Sequence, residues 1–302
     1  VLTGPNTTSG RDDEFQWSDL ADPTTLDALN FNTADGRDGV LTRCASVNGV
    51  LFLFKERSHE VWQLTGQSGA NAFSRLAGGI RDVGLKSYRL FANMPDGAFF
   101  VDQDNRVQVI SGIDTIPVST PAVQTSLEQA DPESCFYYSD EGHRFPVIRF
   151  RDRPAWVFDM DVGEWHERAE GVGFNNWTAK CSAYFNGAWR LGVQSGEVKT
   201  LSRSNADGAT TLKRTAVSRT LYSEDARLAV SQLQFRGTFG KESLGRDAEI
   251  QLRVSRDNGI SYGQTKTRSI GDLGDYKARC IFRRLGQARS FTAEVSITDP
   301  VD

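Results

Sequence analysis

Acidic and histidine side chains near the middle of the chain are the first candidates for chemistry. Asp159 and Asp161 are two residues apart and would share a face of an extended strand. Such a carboxylate pair could provide the acid and base of glycoside hydrolysis. Asp161 is followed by Val-Gly, however, a sequence typical of a turn, so we interpret both aspartates as turn residues. His143 and His166 flank them, but their spacing does not predict that they meet.

A second candidate is the segment SRDNGISY at 255–262, which matches the Asp-box pattern S-x-D-x-G-x-x-aromatic. Its pattern residues are Ser255, Asp257, Gly259 and Tyr262. In such a turn the aspartate accepts backbone N–H groups, the glycine is left-handed and the aromatic ring packs beneath. Sialidases carry Asp-boxes but also need an arginine triad, a Tyr–Glu pair and an acid. We therefore predict a structural turn, not an active site.

Composition argues against several functional classes. The net charge of −4 and pI near 5.6 disfavour a protein that grips nucleic acid through broad basic surfaces. The four cysteines stand far apart without a CxxC pair, and the chain has only three histidines, so we expect no metal site. GxSxG, P-loop and HExxH motifs are absent from the sequence, and no apolar run approaches the length of a membrane span. We expect no enzyme activity and no cofactor.

The elements that position these residues are predicted to be short repeated strands. Gly49, Gly97, Gly142 and Gly187 are spaced by 48, 45 and 45 residues. Each is expected to supply the positive φ of a tight turn, and each precedes a strand, a polar turn and a second strand. A period of 40 to 50 residues with several short strands is typical of β-propeller blades. The aromatic stretch 133–171 would be one such blade.

The sequence therefore predicts an all-β fold with three regions. Residues 1–39 are expected to be an acidic extended segment with a helical turn near 23–29, capped by Asp22. Residues 40–205 would form the propeller repeats, with a short helical run at 123–129. Residues 206–302 would be a further β-rich region that contains the Asp-box and could complete the propeller.

Several stretches, spread over most of the chain, resemble the packaged-DNA stabilization proteins of short-tailed phages, also called tail hub or nozzle proteins. They are WSDL at 17–20, TLDALNF at 25–31, TADG at 33–36, EVWQLTG at 60–66, IPVST at 116–120, EGH at 141–143, WVFD at 156–159, GEWHER at 163–168, GDYKAR at 274–279, RRLG at 283–286 and ITDPV at 297–301. Their order along the chain is the specific feature. Relative to that family, an N-terminal strand-rich portion and the last strand are expected to be missing.

The resemblance implies a structural virion protein that forms a ring of six below the portal and its adaptor. Such a ring would extend the DNA channel, retain packaged DNA, and carry a tail fibre, a tailspike or a needle-like plug. Double-stranded DNA would pass through the lumen without sequence-specific binding. The protein would be part of the phage tail, assembled in the host cytoplasm, and would have no membrane span.

Opposite local charges suggest how subunits of such a ring would meet. Residues 1–39 hold eight acidic residues against two arginines, whereas 236–289 hold twelve Lys/Arg against six Asp/Glu. We predict that charges from both regions join neighbouring subunits. The residues are Asp12, Asp13 and Glu14 on one side, and Arg279, Arg283, Arg284 and Arg289 on the other.

Two other functions are compatible with the sequence. A carbohydrate-binding or glycan-hydrolysing propeller on a phage tail would use exposed tryptophans to stack on sugars. Its candidates are Trp62, Trp156, Trp165 and Trp189, although blade cores also use tryptophan. The other alternative is an interaction propeller with cellular partners.

Overall fold

The protein consists mainly of short antiparallel strands in two compact units. The computed structural model describes residues 1–3, 11–19, 22–202, 206–207, 210–224, 226–237, 239–240 and 246–299. The first unit comprises Val1–Ala169 and Asn176–Leu201, and the second comprises Glu170–Asn175 and Ser202–Asp302. The predominance of strands confirms the all-β class. Among the described residues, no helix has the length and apolarity required to cross a membrane.

The first unit is built from sheets whose strands pair in sequence order, and its described residues form five of them. The first sheet contains β1 (Leu2–Thr3), β2 (Glu14–Gln16) and β3 (Phe31–Thr33). The second contains β4 (Leu41–Val47), β5 (Val50–Lys55), β6 (His59–Leu64) and β7 (Phe73–Arg81), with a 3-10 turn at Gly69–Asn71 between the last two. The third contains β8 (Phe91–Met94), β9 (Gly97–Val101), β10 (Val107–Ser111) and β11 (Asp114–Pro117).

The remaining sheets of this unit follow the helix α1 (Pro121–Gln129). The fourth contains β12 (Pro132–Asp140), β13 (His143–Phe150), β14 (Ala155–Asp159), β15 (Glu164–Glu170) and β16 (Asn175–Asn176). The fifth contains β17 (Ala179–Phe185), β18 (Ala188–Val193) and β19 (Val198–Thr200). The stretch 133–171 is thus one sheet in a series, as predicted.

The central strands of these sheets bury both faces, because each sheet packs between its neighbours. In β9, Ala98 and Phe100 face a cluster shared with the second sheet. The alternate residues Phe99 and Val101 face a cluster shared with the fourth sheet. This two-residue alternation places successive side chains on opposite faces of a strand. Strand β12 lies beside β8, and β17 lies beside β12. The first strands of successive sheets are therefore neighbours, as in a propeller.

The predicted hairpin turns are formed at most of the repeat glycines. Gly49, Gly142 and Gly187 have φ values of 80°, 85° and 74° and connect the first two strands of their sheets. Gly97 does not have a positive φ, so the prediction was wrong there. It begins β9, where an added Cβ would lie 2.2 Å from the carbonyl oxygen of Ile110. Glycine is required at this position by the close approach of a neighbouring strand, not by a turn.

The N-terminal region differs from the expected extended segment with a helical turn. Its strands β1 to β3 form a sheet, in which Phe15 is fully buried and Trp17 packs on Phe73 of the second sheet. No helix forms at 23–29. Asp22 instead accepts the backbone N–H of Thr24 at 3.0 Å, which closes a short turn without starting a helix. Leu20, within the first stretch that carries the family resemblance, lies outside the described residues.

The described part of the second unit forms two sheets and a short hairpin. Its strands are β20 (Ala206–Asp207), β21 (Thr210–Thr211), β22 (Arg214–Val217), β23 (Leu221–Tyr222), β24 (Leu228–Phe235), β25 (Ala248–Ser255), β26 (Lys266–Gly271), β27 (Cys280–Ala288) and β28 (Ser290–Ile297). The larger sheet has the order β22-β28-β25-β26, with β23 also on β28. Strands β24 and β27 form the smaller sheet.

These two sheets enclose a core of their own. Ile250, Leu252 and Phe291 of the larger sheet pack with Phe282 and Leu285 of the smaller one. The region 206–302 was predicted as a β-rich region that could complete the propeller; its described residues instead form a two-sheet sandwich. Pro300 and Val301, and the predicted boundary residue Asn205, lie outside the described residues.

Candidate functional site

The structure brings His143 together with Asp159 and Asp161, the side chains that the sequence offered for chemistry. One potential ligand atom from each lies within 4.8 Å of the others. His143 Nδ1 is 2.8 Å from Asp159 Oδ2, and Asp159 Oδ1 accepts the N–H groups of Asp161 and Val162 at 3.0 and 3.2 Å. Asp161 accepts the backbone N–H and the guanidinium of Arg144, both at 2.7 Å. The Asp159 carboxylate thus closes the turn between β14 and β15, and the Asp161 carboxylate joins that turn to β13.

The protonation state of these aspartates does not suit acid catalysis. Burial opposes ionisation of Asp159, but the His143 contact and the backbone N–H groups outweigh it and lower its pKa. The hydrogen bond from Arg144 lowers the pKa of Asp161. A glycosidase acid needs a raised pKa, and neither carboxylate has one. His166 packs edge-on against Phe145, and burial lowers its pKa. The ring contact of His166 is thus with an aromatic side chain.

A buried ionic cluster was not predicted from the sequence. Arg149 is fully buried and its Nε donates to the carbonyl oxygen of Trp177 at 3.2 Å. Its Nη2 donates to Gln194 at 2.9 Å, and the guanidinium pairs with Glu133, which also contacts Lys180 Nζ at 3.1 Å. These bonds connect β13 to β12, to Trp177 before β17 and to Gln194 after β18. The sequence signal was Arg149 among the apolar residues at the end of the strand HRFPVIRF.

The Asp-box residues form a closed hydrogen-bonded turn after β25. Ser255 Oγ donates to Asp257 Oδ1 at 2.7 Å and accepts the N–H of Gly259 at 2.8 Å. Asp257 also accepts the N–H of Ser261 at 2.9 Å. Gly259 has a φ of 88°, the left-handed region that favours glycine. The hydrogen bonds from Ser255 and Ser261 lower the pKa of Asp257 to about 2.

The aromatic residue of this turn supports the sheet beside it. The guanidinium of Arg253 lies over the Tyr262 ring, 5.1 Å from its centroid, and donates to Glu294 at 3.0 Å. Tyr262 is half-buried in this arrangement. The polar groups of Ser255 and Asp257 are therefore engaged in holding the turn.

The predicted basic contact residues lie on or beside β27. Arg279, Arg283, Arg284 and Arg289 are all exposed. They do not alternate regularly with apolar residues at the centre of the strand. A bulge places an extra residue there, and Arg284 takes a φ of 58°, so Arg283 and Arg284 are exposed consecutively.

The predicted acidic contact residues are not equally accessible. Asp12 is exposed, and Asp13 pairs with Arg11 at 3.5 Å. Glu14 is only 3% exposed, because it lies in β2 between its neighbouring strands. Its carboxylate is thus not presented to a neighbour, and that assignment needs correction. Exposed Asp38, not singled out in the sequence, offers a carboxylate in the same region.

The tryptophans proposed for sugar stacking contribute instead to cores between sheets. Trp62 is buried in the cluster between the first and second sheets. Trp156, Trp165 and Trp189 are half-buried and pack against the cluster around Phe158. Trp165 Nε1 donates to the carbonyl oxygen of Val118 at 2.9 Å. Packing within the first unit therefore accounts for the position of all four.

The second unit has an open cleft of about 550 Å³ beside β26. Its lining includes the charged residues Asp247, Asp275, Lys277 and Arg279, together with Tyr276. Both signs of charge are equally represented, and Asp247 accepts a hydrogen bond from Ser269 at 2.7 Å.

Comparison with protein families gives two matches that together span most of the chain. Residues 7–205 match the family model described as Bacteriophage P22 Gp10, beta-propeller. Residues 213–294 match the model described as Bacteriophage P22 Gp10, beta-sandwich. The two matches coincide with the two kinds of sheet packing described above. No curated protein matches the chain.

Solved structures resemble the chain only distantly. BamB from Moraxella catarrhalis is 9% identical, with 54% of this chain and 43% of that chain covered, at a TM-score of 0.35. The computationally designed Ika4 protein is 14% identical, with 55% and 93% covered, at 0.32. An exo-beta-1,3-galactanase from Phanerochaete chrysosporium is 9% identical, with 93% and 69% covered, at 0.29. The likeness to BamB thus spans less than half of that chain, and TM-scores this low carry no functional argument.

Proposed function

The chain belongs to the bacteriophage P22 Gp10 family, and from this membership we propose that it extends the portal–adaptor channel of a phage tail and retains packaged DNA. It is a structural phage protein of the tail-hub and DNA-stabilisation type. The observation that carries the proposal is the family match to both the propeller and the sandwich, in the order in which the chain presents them.

The side-chain geometry supports a structural role. The carboxylates that could have catalysed hydrolysis close turns, and the tryptophans that could have bound sugars pack between sheets. Interlocked sheets with both faces buried make a stiff scaffold, because close-packed interiors deform little. A conduit under the pressure of packaged DNA needs such stiffness.

The charge of the first unit supports passage of DNA without tight binding. This unit contains 18 Lys/Arg and 26 Asp/Glu, a net charge of −8. Affinity for duplex DNA depends on neutralising its phosphates, and a surface of this sign does not do so. DNA would slide past the protein and be retained by closure of the channel.

The partners that this role requires are also part of the proposal. We propose that copies of the chain form a ring, expected to be hexameric, between a portal adaptor and a distal fibre, tailspike or needle. Assembly would take place in the host cytoplasm, where phage particles are completed.

The proposal is tested by depleting the protein that carries this chain during phage production. Particles lacking it are expected to package DNA and then lose it, which can be measured as nuclease-sensitive DNA per particle. Addition of the purified protein to freshly packaged heads should restore protection. Electron microscopy of the restored particles should show added density at the tail end.

Two controls make this test specific. Heads given an unrelated acidic β-protein should continue to lose DNA, and empty heads should gain the tail density without gaining DNA. Depleted particles that keep their DNA and remain infectious would contradict the proposed role.

A further inference from the structure

The two units of the chain carry opposite net charges. The second unit contains 17 Lys/Arg and 13 Asp/Glu, a net charge of +4, whereas the first has −8. Opposite potentials on two surfaces steer association and set its specificity. A surface for such association is expected where the positive charge of the second unit is concentrated.

The positive charge is concentrated on the two-stranded sheet of β24 and β27, called here the basic sheet. Neither strand contains an aspartate or glutamate. Six exposed arginines lie within these strands or within one residue of their ends: Arg227, Arg236, Arg279, Arg283, Arg284 and Arg289. In the part of the chain that the structure describes, none of the six is paired with a carboxylate.

The bulge in β27 increases this concentration of charge. Lys266 Nζ donates to the carbonyl oxygens of Arg283 and Arg284 at 3.3 and 3.0 Å, and Arg256 donates to that of Leu285 at 2.9 Å. Two further cations thus satisfy the carbonyl groups of the bulge. The side chains of Arg283 and Arg284 stay exposed, and the local charge grows without a compensating carboxylate.

Three acids of the second unit are already engaged. Glu294 binds Arg253, Asp299 binds Arg246, and Asp257 binds Ser255 and Ser261. These three carboxylates are therefore not available to neutralise the basic sheet. An uncompensated cluster of exposed arginines is a common feature of surfaces that bind a complementary negative partner.

The first unit presents a surface with complementary properties at residues 11–40. Asp12 and Asp38 are exposed, and their carboxylates have no hydrogen-bond or ion-pair partner among the described residues. They belong to one surface, because Leu41, three residues after Asp38, donates its N–H to the carbonyl oxygen of Asp12 at 2.8 Å. Leu29 is 70% exposed in the same region, which gives the surface an apolar component typical of interfaces.

We infer that the basic sheet of one copy of this chain binds the acidic surface at residues 11–40 of a second copy. Such a contact joins two different surfaces, so it repeats head to tail and generates a ring or a filament. The inference rests on the proposed function only in taking the chain to assemble with copies of itself. Another copy is a better partner than DNA, because every copy brings one acidic surface for each basic sheet and the −8 of the first unit repels phosphate.

The test uses two charge-reversed forms of the full chain. In one, Arg283→Glu and Arg284→Glu reverse the basic sheet; in the other, Asp12→Lys and Asp38→Lys reverse the acidic surface. Each alone is expected to raise the dissociation constant for self-association at least about tenfold in sedimentation velocity, because like charges then face each other. A matched control, Arg57→Glu with Arg151→Glu, makes the same charge change at exposed cations of the first unit and should leave association intact.

Mixing the two reversed forms makes the test decisive. One form then supplies a native basic sheet for the other's native acidic surface, and the reversed surfaces also match, so mixed assemblies should form. If the mixed forms do not associate but a chain carrying all four changes does, the contact lies within one chain and the inference is overturned. Thermal unfolding of each form confirms that it is folded, and Arg283→Gln with Arg284→Gln provides a milder version should the reversal unfold.

Other results also decide the matter. Wild-type association that is insensitive to salt, or unchanged by either reversal, would refute this contact and leave the hub role intact. A wild-type chain that stays monomeric at every concentration would refute the contact as well, whereas the hub role is tested separately by the depletion experiment. Binding of duplex DNA that is lost on reversal of the basic sheet, without any effect on association, would assign the surface to nucleic acid instead.

Discussion

Aspartates in this protein organise turns by accepting backbone N–H groups. Asp102 accepts the N–H groups of Asp104 and Arg106 at 3.0 and 2.8 Å, and Asp159 and Asp257 make similar sets of bonds. A carboxylate that is surrounded by donors is stabilised in its charged form. The same residue type that suggests catalysis in a sequence thus carries out a structural task here.

Loss of the Asp257 carboxylate is expected to destabilise the second unit. Its hydrogen bonds lower its pKa to about 2, below the value near 4 of an unfolded chain. The stabilisation is therefore complete above about pH 4 and disappears as the pH falls towards 2. Asp257→Ala should lower the melting temperature at pH 7, and the difference from wild type should shrink at pH 2 to 3.

The exposed Glu249 provides a control for this prediction, because its side chain makes no hydrogen bond among the described residues. Glu249→Ala should have a smaller effect that does not follow the same pH course. Equal destabilisation by both changes at every pH would contradict the role given to Asp257.

At the scale of elements, glycines at equivalent positions of the repeat serve different purposes. Gly49 has a φ of 80° and open space around it, whereas Gly97 lies against the carbonyl oxygen of Ile110. The sequence shows the same spacing in both cases. Only the packing of β9 against β10 distinguishes a residue needed for its backbone angle from one needed for its small size.

The two glycines should therefore respond differently to substitution. Gly49→Ala is expected to cost about 1 to 2 kcal/mol for a left-handed alanine. Gly49→Asn should cost less, because asparagine tolerates that region. At Gly97, alanine should cost about 1 to 3 kcal/mol through overpacking, and asparagine should cost more. Urea unfolding of the four variants measures these differences, and an asparagine that is better than alanine at both positions would contradict the assignment.

Local signals in the sequence predicted much of the first unit, and long-range pairings explain what was missed. The hairpins at Asn186-Gly187 and Glu141-Gly142 could be predicted because a positive φ and sequence-neighbour pairing are local properties. The N-terminal sheet was missed because β2 and β3 are very short and their stability comes from burial of Phe15 and Trp17. Propensity cannot report such a contribution from tertiary packing.

For the candidate contact residues, too, local properties could be predicted from the sequence and long-range ones could not. The sign of the charge around Arg283 and around Asp12 followed directly from composition. Burial of Glu14 and the bulge at Arg284 did not, because both depend on strand pairing. A sequence reports how much charge a region carries, and the fold decides which of those charges face outward.

At the scale of the whole molecule, each unit has a hydrophobic core of its own. Phe100 is fully buried in the first unit, and Leu252 is fully buried in the second. No cluster of the described residues combines side chains from the two units. Units with separate cores are expected to unfold as separate transitions.

A core substitution in one unit should therefore destabilise only the unfolding transition of that unit. Leu252→Ala is expected to destabilise the second unit by about 2 to 5 kcal/mol, and Phe100→Ala the first by about 3 to 5 kcal/mol, through loss of burial and creation of a cavity. Differential scanning calorimetry with hydrogen exchange would assign each shift to its unit. A single transition that both substitutions lower equally would contradict the division.

The position of β28 affects how the second unit folds during synthesis on the ribosome. The sheets of the first unit join sequence neighbours, so each can close soon after its strands emerge. Strand β28, in contrast, lies in the middle of its sheet and pairs with β22, β23 and β25. The core of the second unit can therefore close only after residues 290–297 have been synthesised, and we expect this long-range pairing to fold more slowly than the sheets of the first unit.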